Sequence, residues 1–298
     1  MSTFLQLTVQ GIALGSIYAL IALGFTVVLL AGVVNFAQGS FMLLGAYVVS
    51  WLAVDMQVPF LLAVAGGILV TVLLGVAFEQ LFLRRMAARP VFTLIMITLG
   101  LDTILRVITA AIWGYDPRRN GDPFTLSTGF NVGEVHLNWG DIVIVIVTFL
   151  LLGLFFTFFK YTKYGVAMRA AALDREAAAA VGISLSQVYI LTWTVAGVLA
   201  AVGGVFLASV PRSLDTTLGF TALRAFPAVI LGGLGSPVGA VVGGVIMGVV
   251  EVLVAGYNQQ YFPWLGSGFN QVSTYVLLII VLLVRPYGLF GKKEVERV

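Results

Sequence analysis

The sequence predicts an all-α polytopic membrane protein with about 8 transmembrane or partly spanning helices, some of them broken or re-entrant, in one domain over residues 1–298. Three observations carry this. Hydrophobic residues make up 60% of the chain, charged residues only 10%, and mean hydropathy is +1.07, values that no water-soluble domain with a charged surface shows. Apolar runs at 8–31, 58–83, 92–113, 141–159, 188–209 and 271–284 reach or approach the roughly 20 residues that cross a bilayer as a helix. These runs are apolar all round, whereas barrel strands alternate over about 10 residues.

Residues 8–31 form the first span. The first basic residue is Arg84, so the charged start of a secretory signal is missing and the N-terminus reads as retained. The stretch "GVVNFAQGS" at 32–40 follows, and Asn35 and Gln38 in it are costly in lipid unless paired. It reads as a broken helix joint or as a surface turn. The run 39–54 is short, so either the N-terminus lies outside or this segment does not fully cross.

Basic residues separate the two faces. Arg84, Arg85 and Arg89, then Lys160, Lys163, Arg169 and Arg175, then Arg285, Lys292, Lys293 and Arg297 mark the cytoplasmic side, eleven of the sixteen basic residues. Segments 114–140 and 210–224 then fall outside, and in the first of them Asp116, Asp122 and Glu134 offset Arg118 and Arg119. Trp113, Tyr115, Trp139, Tyr257, Tyr261 and Trp264 fit an interfacial aromatic belt. With the 160–187 loop and the tail both inside, an even number of crossings must join them. The run 225–256 supplies two if 225–235 descends part-way and 237–256 returns, with Gly232, Gly233, Gly235 and Pro237 making a turn. Inside the membrane such a turn must face protein or a water-filled path; the alternative is an ordinary external turn. Glycines four apart, at Gly11 and Gly15, Gly239 and Gly243, Gly244 and Gly248, predict close helix packing.

Several function classes drop out. A Walker A loop is excluded, because the Gly291-Lys292 pair has Pro286 and Lys293 where that motif needs glycine and Ser or Thr. His136 is the single histidine and there is no cysteine, so a histidine-rich metal centre, a disulfide and thiol chemistry are excluded. The net charge of +3 is dispersed, which suggests no nucleic-acid partner. Charges within apolar runs are Asp102 and Arg106, four apart on one helix face, and Glu251, which stands alone. Glu251 is either the proton site of a secondary transporter or a packing acid capped by a neighbouring helix.

The cytoplasmic stretch "RAAALDREAAAAVGISLSQVY", residues 169–189, differs from everything around it. It predicts one surface helix over about 167–182, rich in alanine, with Asp174, Arg175, Glu176 and Ala177 near its centre and Gly182 at a C-cap position that needs positive φ. Helices that rest on lipid headgroups carry bulky apolar residues, and this one carries alanine, which suits a protein groove.

"DREAAAAVGISLSQVYILTWTVAGVLAAVGGV" resembles the coupling loop of bacterial ABC importer permeases, in which EAA and a later glycine dock on the ATPase. "LGSIYALIALGFTVVLLAGVVNFAQGSFMLLGAY", "AFPAVILGGLGSPVGAVVGGVIMGVVE" and the tail "GLFGKKEVERV" are similar to LivH-type permeases of branched-chain amino acid importers, and the likeness runs over nearly the whole chain. That resemblance implies the ABC importer permease fold in a bacterial inner membrane. It also implies a second, LivM-like permease, two cytoplasmic LivG/LivF-like ATPase subunits carrying ATP and Mg, and a periplasmic binding protein; this chain itself would bind no cofactor and no metal. Asp174, Arg175, Glu176, Ala177 and Gly182 would touch the ATPase, while Asn35, Gln38 and the Gly232–Pro237 turn would lie near the substrate path. Gln38 stands where the family commonly has histidine. The implied substrates are leucine, isoleucine and valine, with urea, short amides and aromatic acids as alternatives from related importers.

Overall fold

The computed structural model describes residues 2–86, 90–119, 121, 128–133, 135–209, 213–266 and 268–291. Arg89, Asp122, Glu134, Lys292, Lys293 and Arg297, used above to orient the chain, lie outside these residues.

The chain folds into helices α1 (Ser2–Leu30), α2 (Gln38–Ser50), α3 (Phe60–Phe78), α4 (Val91–Trp113), α5 (Trp139–Tyr161), α6 (Lys163–Leu173), α7 (Arg175–Ala180), α8 (Leu185–Leu207), α9 (Leu218–Leu223), α10 (Phe226–Gly232), α11 (Pro237–Tyr261) and α12 (Phe269–Val284). α2 ends in a π turn over Trp51–Asp55, and α3 continues through a second one, Glu79–Leu83, into a last turn at Arg84–Met86. One hairpin, β1 (Gly129–Val132) with β2 (Val135–Asn138), lies between α4 and α5. Among the described residues six helices are long and apolar enough to cross a membrane, with α9–α10 and α12 shorter.

Contacts decide the orientation that the sequence left open. Gln6, near the start of α1, both donates to and accepts from the His136 backbone at 2.7 Å, which ties the N-terminus to the hairpin on the outer side. The far end of α2 is tied to the same side, where Ser50 donates to the Arg119 carbonyl at 2.8 Å and Arg118 pairs with Asp55 at 3.0 Å. The start of α1, the hairpin and the end of α2 therefore share one side, and the 38–55 segment brings the chain back to the side on which it began. Following the chain, the ends of α3 and α5, the α6–α7 segment and Arg285 fall on the opposite face, which the positive-inside rule makes cytoplasmic.

α1 and α2 form the centre. In α1, 89% of the most apolar window is buried, against 17% in α4, so α1 is wrapped by protein while α4 faces lipid. Every residue of α2 is buried. Lipid supplies no hydrophobic drive between helices, so close packing must hold them, and the glycines provide it. A Cβ on Gly11 would come within 2.7 Å of the Val249 backbone, and one on Gly248 would overlap Gly15, so α1 lies backbone to backbone on α11. Gly243 packs in the same way on Ala228 and Gly239 on Gly232, which seats α10 on α11.

Two expectations need correction. Residues 218–224 are not an external loop: Leu218, Gly219 and Ala222 are buried and α9 packs on α2, so the descending element begins seven residues earlier than its apolar run. The turn after α10 is held at the cytoplasmic end, not within the membrane. There Leu289 and Phe290 of the C-terminal segment donate backbone hydrogen bonds to Leu231 and Gly232 at 2.8 and 2.9 Å, Ser236 caps α11, and Leu234 is exposed.

Candidate functional site: an outer cavity and a cytoplasmic docking segment

A cavity of about 750 Å³ opens at the outer end of the bundle between α1, α9 and α11. Its floor is Glu251, 5% exposed and fixed on α11 by the glycine seam. Tyr18 of α1 donates to Glu251 Oε2 at 2.7 Å, and Arg224, between α9 and α10, brings Nη1 to 3.9 Å from Oε1. Glu251 is thus not alone; its partners are 233 and 27 residues away in sequence. The rim is polar: Asp215 Oδ1 accepts from the Thr217 backbone at 2.7 Å, and Asn270 of α12 closes one side. The loop below it is pinned by the paired backbone bonds between Arg118 and Leu214, at 2.8 and 3.0 Å.

The first joint is a broken, buried helix connection. Asn35 is 1% exposed and Gln38 0%. The two amides share one bond, Asn35 Nδ2 donating to Gln38 Oε1 at 3.0 Å, while Asn35 Oδ1 accepts from the Ala37 backbone and Gln38 Nε2 donates to the Ala196 carbonyl of α8 at 3.3 Å. Thr98 of α4 takes the Val34 carbonyl and the Phe36 amide. Asn35 borders a second cavity, about 210 Å³ and apolar, with Phe25, Phe226 and Leu234. The Gly232–Pro237 turn is remote from the outer cavity: Gly235 faces Leu30 of α1, twelve residues or roughly 18 Å along that helix from Tyr18.

Asp102 and Arg106 pair as their spacing requires, Nε to Oδ2 at 2.9 Å and Nη2 to Oδ1 at 3.1 Å. Ser40 of α2 donates to Asp102 Oδ1 at 2.5 Å, and the guanidinium lies 3.7 Å over the Phe220 ring. The pair therefore ties α4 to α2 and α9, and takes no part in either cavity.

On the cytoplasmic face the expected single helix over 167–182 is two helices. Asp174 leaves helical geometry (φ −158°, ψ 113°), and its Oδ1 accepts from the Ala177 amide at 2.9 Å, which caps α7. A short side chain that accepts this bond favours a new N-terminus over continuation of α6. Gly182 has φ +88°; the bonds Gly182 N to Ala179 O and Ile183 N to Ala178 O, both 3.0 Å, close α7 in a Schellman motif. Asp174, Glu176 and Ala177 are exposed, flanked by Leu173 at 84% and Val181 at 78%. Arg175 turns the other way. Its guanidinium covers Gly32 so closely that a side chain there would overlap it, and it faces a small hollow with Glu79, Tyr189 and Trp193.

Glu79 is the residue that sequence reading missed. It is 1% exposed at the start of the π turn in α3, and among the described residues neither of its oxygens has a hydrogen-bond partner. Its charge, the only one inside the run 58–83, was the available signal.

Residues 7–285 match the family described as "branched-chain amino acid transport system / permease component". The chain is 33% identical to the high-affinity branched-chain amino acid transport system permease protein LivH of Salmonella typhimurium, over 99% of this chain and 98% of that protein. It is 32% identical to BraD of Pseudomonas aeruginosa, with the same two coverages. Among solved structures it resembles a chain of PsaBC from Streptococcus pneumoniae in complex with Fab, with a TM-score of 0.53 over 96% of this chain and 93% of that one; at 13% identity the likeness shows the fold alone. A match over nearly the whole length, on a fold of buried central helices and lipid-facing outer ones, places this chain in the family of permease components of branched-chain amino acid transport systems.

Proposed function

We propose that this chain is a non-catalytic permease subunit of an ATP-driven importer in a bacterial inner membrane, and that it moves leucine, isoleucine and valine inward. Its partners in this reading are a second permease, two cytoplasmic ATPase subunits that carry ATP and Mg, and a periplasmic binding protein that delivers substrate to the outer cavity. The observation that carries the reading is the cytoplasmic segment 163–182. Leu173 and Val181 stand bare beyond the membrane-spanning helices, on either side of a capped helix of small residues. Such a surface fits a protein groove. Asp174, Glu176, Ala177 and Gly182 form the ATPase contact, and Arg175 forms the link back into the bundle at Gly32.

ATP binding drives transport only if the ATPase dimer favours one state of the permease over the other. Movement of α7 pulls on Arg175, hence on the joint between α1 and α2. Substrate enters above Glu251, and the inner part of its route passes Asn35, with Gln38 and the Gly232–Pro237 turn holding the walls. The partners of Glu251, Tyr18 and Arg224, remove the lone-acid argument for a proton-coupled carrier.

The test is uptake of labelled leucine, with valine, urea and benzoate as competitors, in cells lacking their own system and supplied with this chain and its partner subunits. Leucine uptake that valine inhibits, and that persists with an ionophore while ATP is maintained, is the expected result. Uptake of another solute in place of leucine overturns the substrate. Uptake by this chain without ATPases overturns the importer. Gly182→Glu, strained at φ +88° and charged at the contact, abolishes uptake while the protein stays in the membrane at its normal level.

A further inference from the structure

We propose that Arg224 and Glu251 form a subsite that reads both charges of a zwitterionic amino acid, the Arg224 guanidinium taking the α-carboxylate and the Glu251 carboxylate the α-ammonium. This rests on the reading of the chain as an amino acid permease and names the residues that make it one.

The geometry is that of a pair held short of contact. Nη1 and Oε1 stand 3.9 Å apart, beyond hydrogen-bond reach, and among the described residues the Arg224 guanidinium donates no hydrogen bond. A guanidinium has five donors and a carboxylate about four acceptor positions. In Glu251 Oε2 is engaged by Tyr18, which leaves Oε1 turned toward Arg224. Tyr18 is thus a positioning residue. It fixes the carboxylate from the α1 side, and the seam between Gly15 and Gly248 fixes the distance between the two helices.

Opposite charges on the floor of an open cavity match a ligand whose own opposite charges sit on one carbon. Insertion replaces one loose pair by two charge-assisted contacts, without leaving a charge unpaired. The same cavity is also lined by Leu14, Leu207, Leu218 and Val252, which add apolar surface to it. A zwitterion with a branched aliphatic side chain meets all three surfaces. Urea meets neither charge, and an aromatic acid meets only Arg224.

The experiment is equilibrium binding of labelled leucine to the detergent-purified complex of permeases and ATPases without the binding protein. Competitors are 4-methylpentanoate, which lacks the ammonium, and 3-methylbutylamine, which lacks the carboxylate. Each competes about 10- to 100-fold less well than unlabelled leucine. Glu251→Gln removes the discrimination against 4-methylpentanoate, Arg224→Gln removes that against 3-methylbutylamine, and Tyr18→Phe, which keeps the ring, weakens leucine several-fold without changing the ranking. Melting of each purified complex is followed in parallel, and the Tyr18 variant keeps the test open if either charge variant fails to assemble. An unchanged ranking in both charge variants, or no leucine binding by the wild-type complex that imports leucine in cells, overturns the subsite and leaves the amino acid reading intact. If the wild-type system imports urea or an acid in place of leucine, the amino acid reading itself falls.

Discussion

The α1–α11 seam and the cytoplasmic segment 163–182 are both built from small residues, and they use them in opposite ways. In the seam, Gly11, Gly15, Gly244 and Gly248 bring two backbones together until no side chain fits between them. In the segment, Ala177, Ala179 and Ala180 are exposed, and the large apolar residues beside them, Leu173 and Val181, are 84% and 78% exposed. Small residues in the seam are filled by this chain's own helix. Those in the segment are left uncovered by this chain. Lipid-facing apolar residues on α3, α4 and α5 need no partner, but Leu173 and Val181 lie past the ends of those spans.

Substitutions in the bundle should therefore cost stability, and substitutions in the segment should cost coupling. The largest effect is expected for Asp102→Leu, which strands the Arg106 guanidinium, 15% exposed, between α2 and α9. Loss of one partner of a fully buried pair costs about 3–5 kcal/mol, an upper bound for this part-buried one, and thermal melting in detergent should show a clear drop. Gly248→Leu comes next. Its side chain has no space against Gly15 and must part the helices, a cost of about 1–3 kcal/mol or more, measured in the same way. Asp174→Ala removes the α7 cap at roughly 1 kcal/mol, confined to the segment. Transport should fall while bundle melting holds, and Asp174→Asn should restore most of it, since asparagine caps as well. The smallest effect on stability belongs to Leu173→Asp with Val181→Asp, within about 0.5 kcal/mol because both side chains are bare.

The spans, the two faces and the alanine-rich segment were legible in the sequence because each rests on a local property: apolar length, loop charge, composition. What escaped depends on pairing across the fold. Glu251 looks solitary until α1 lays Tyr18 beside it, 233 residues away. Residues 218–224 look external because a run of seven, ending in Arg224, is too short and too charged to read as buried. Asp174 is tolerated inside a helix and favoured at its start, and only the bond to the Ala177 amide decides between them. Asn35 and Gln38, costly if unpaired, left a buried joint and a surface turn both open, and the structure answers their cost by bonding one amide to the other. The expected turn at Gly232–Pro237 has the right residues, but its depth is set by the C-terminal segment that hydrogen-bonds α10 from below.

The most direct test of the account is co-purification of the ATPase subunits with the permease, comparing the wild type with the double variant Leu173→Asp, Val181→Asp. The account predicts that the variant permease is recovered from the membrane at the wild-type level and with unchanged melting, but without its ATPases. Full recovery of the ATPases with the variant would contradict it, and would show that the exposed face of the segment is not where this permease is driven.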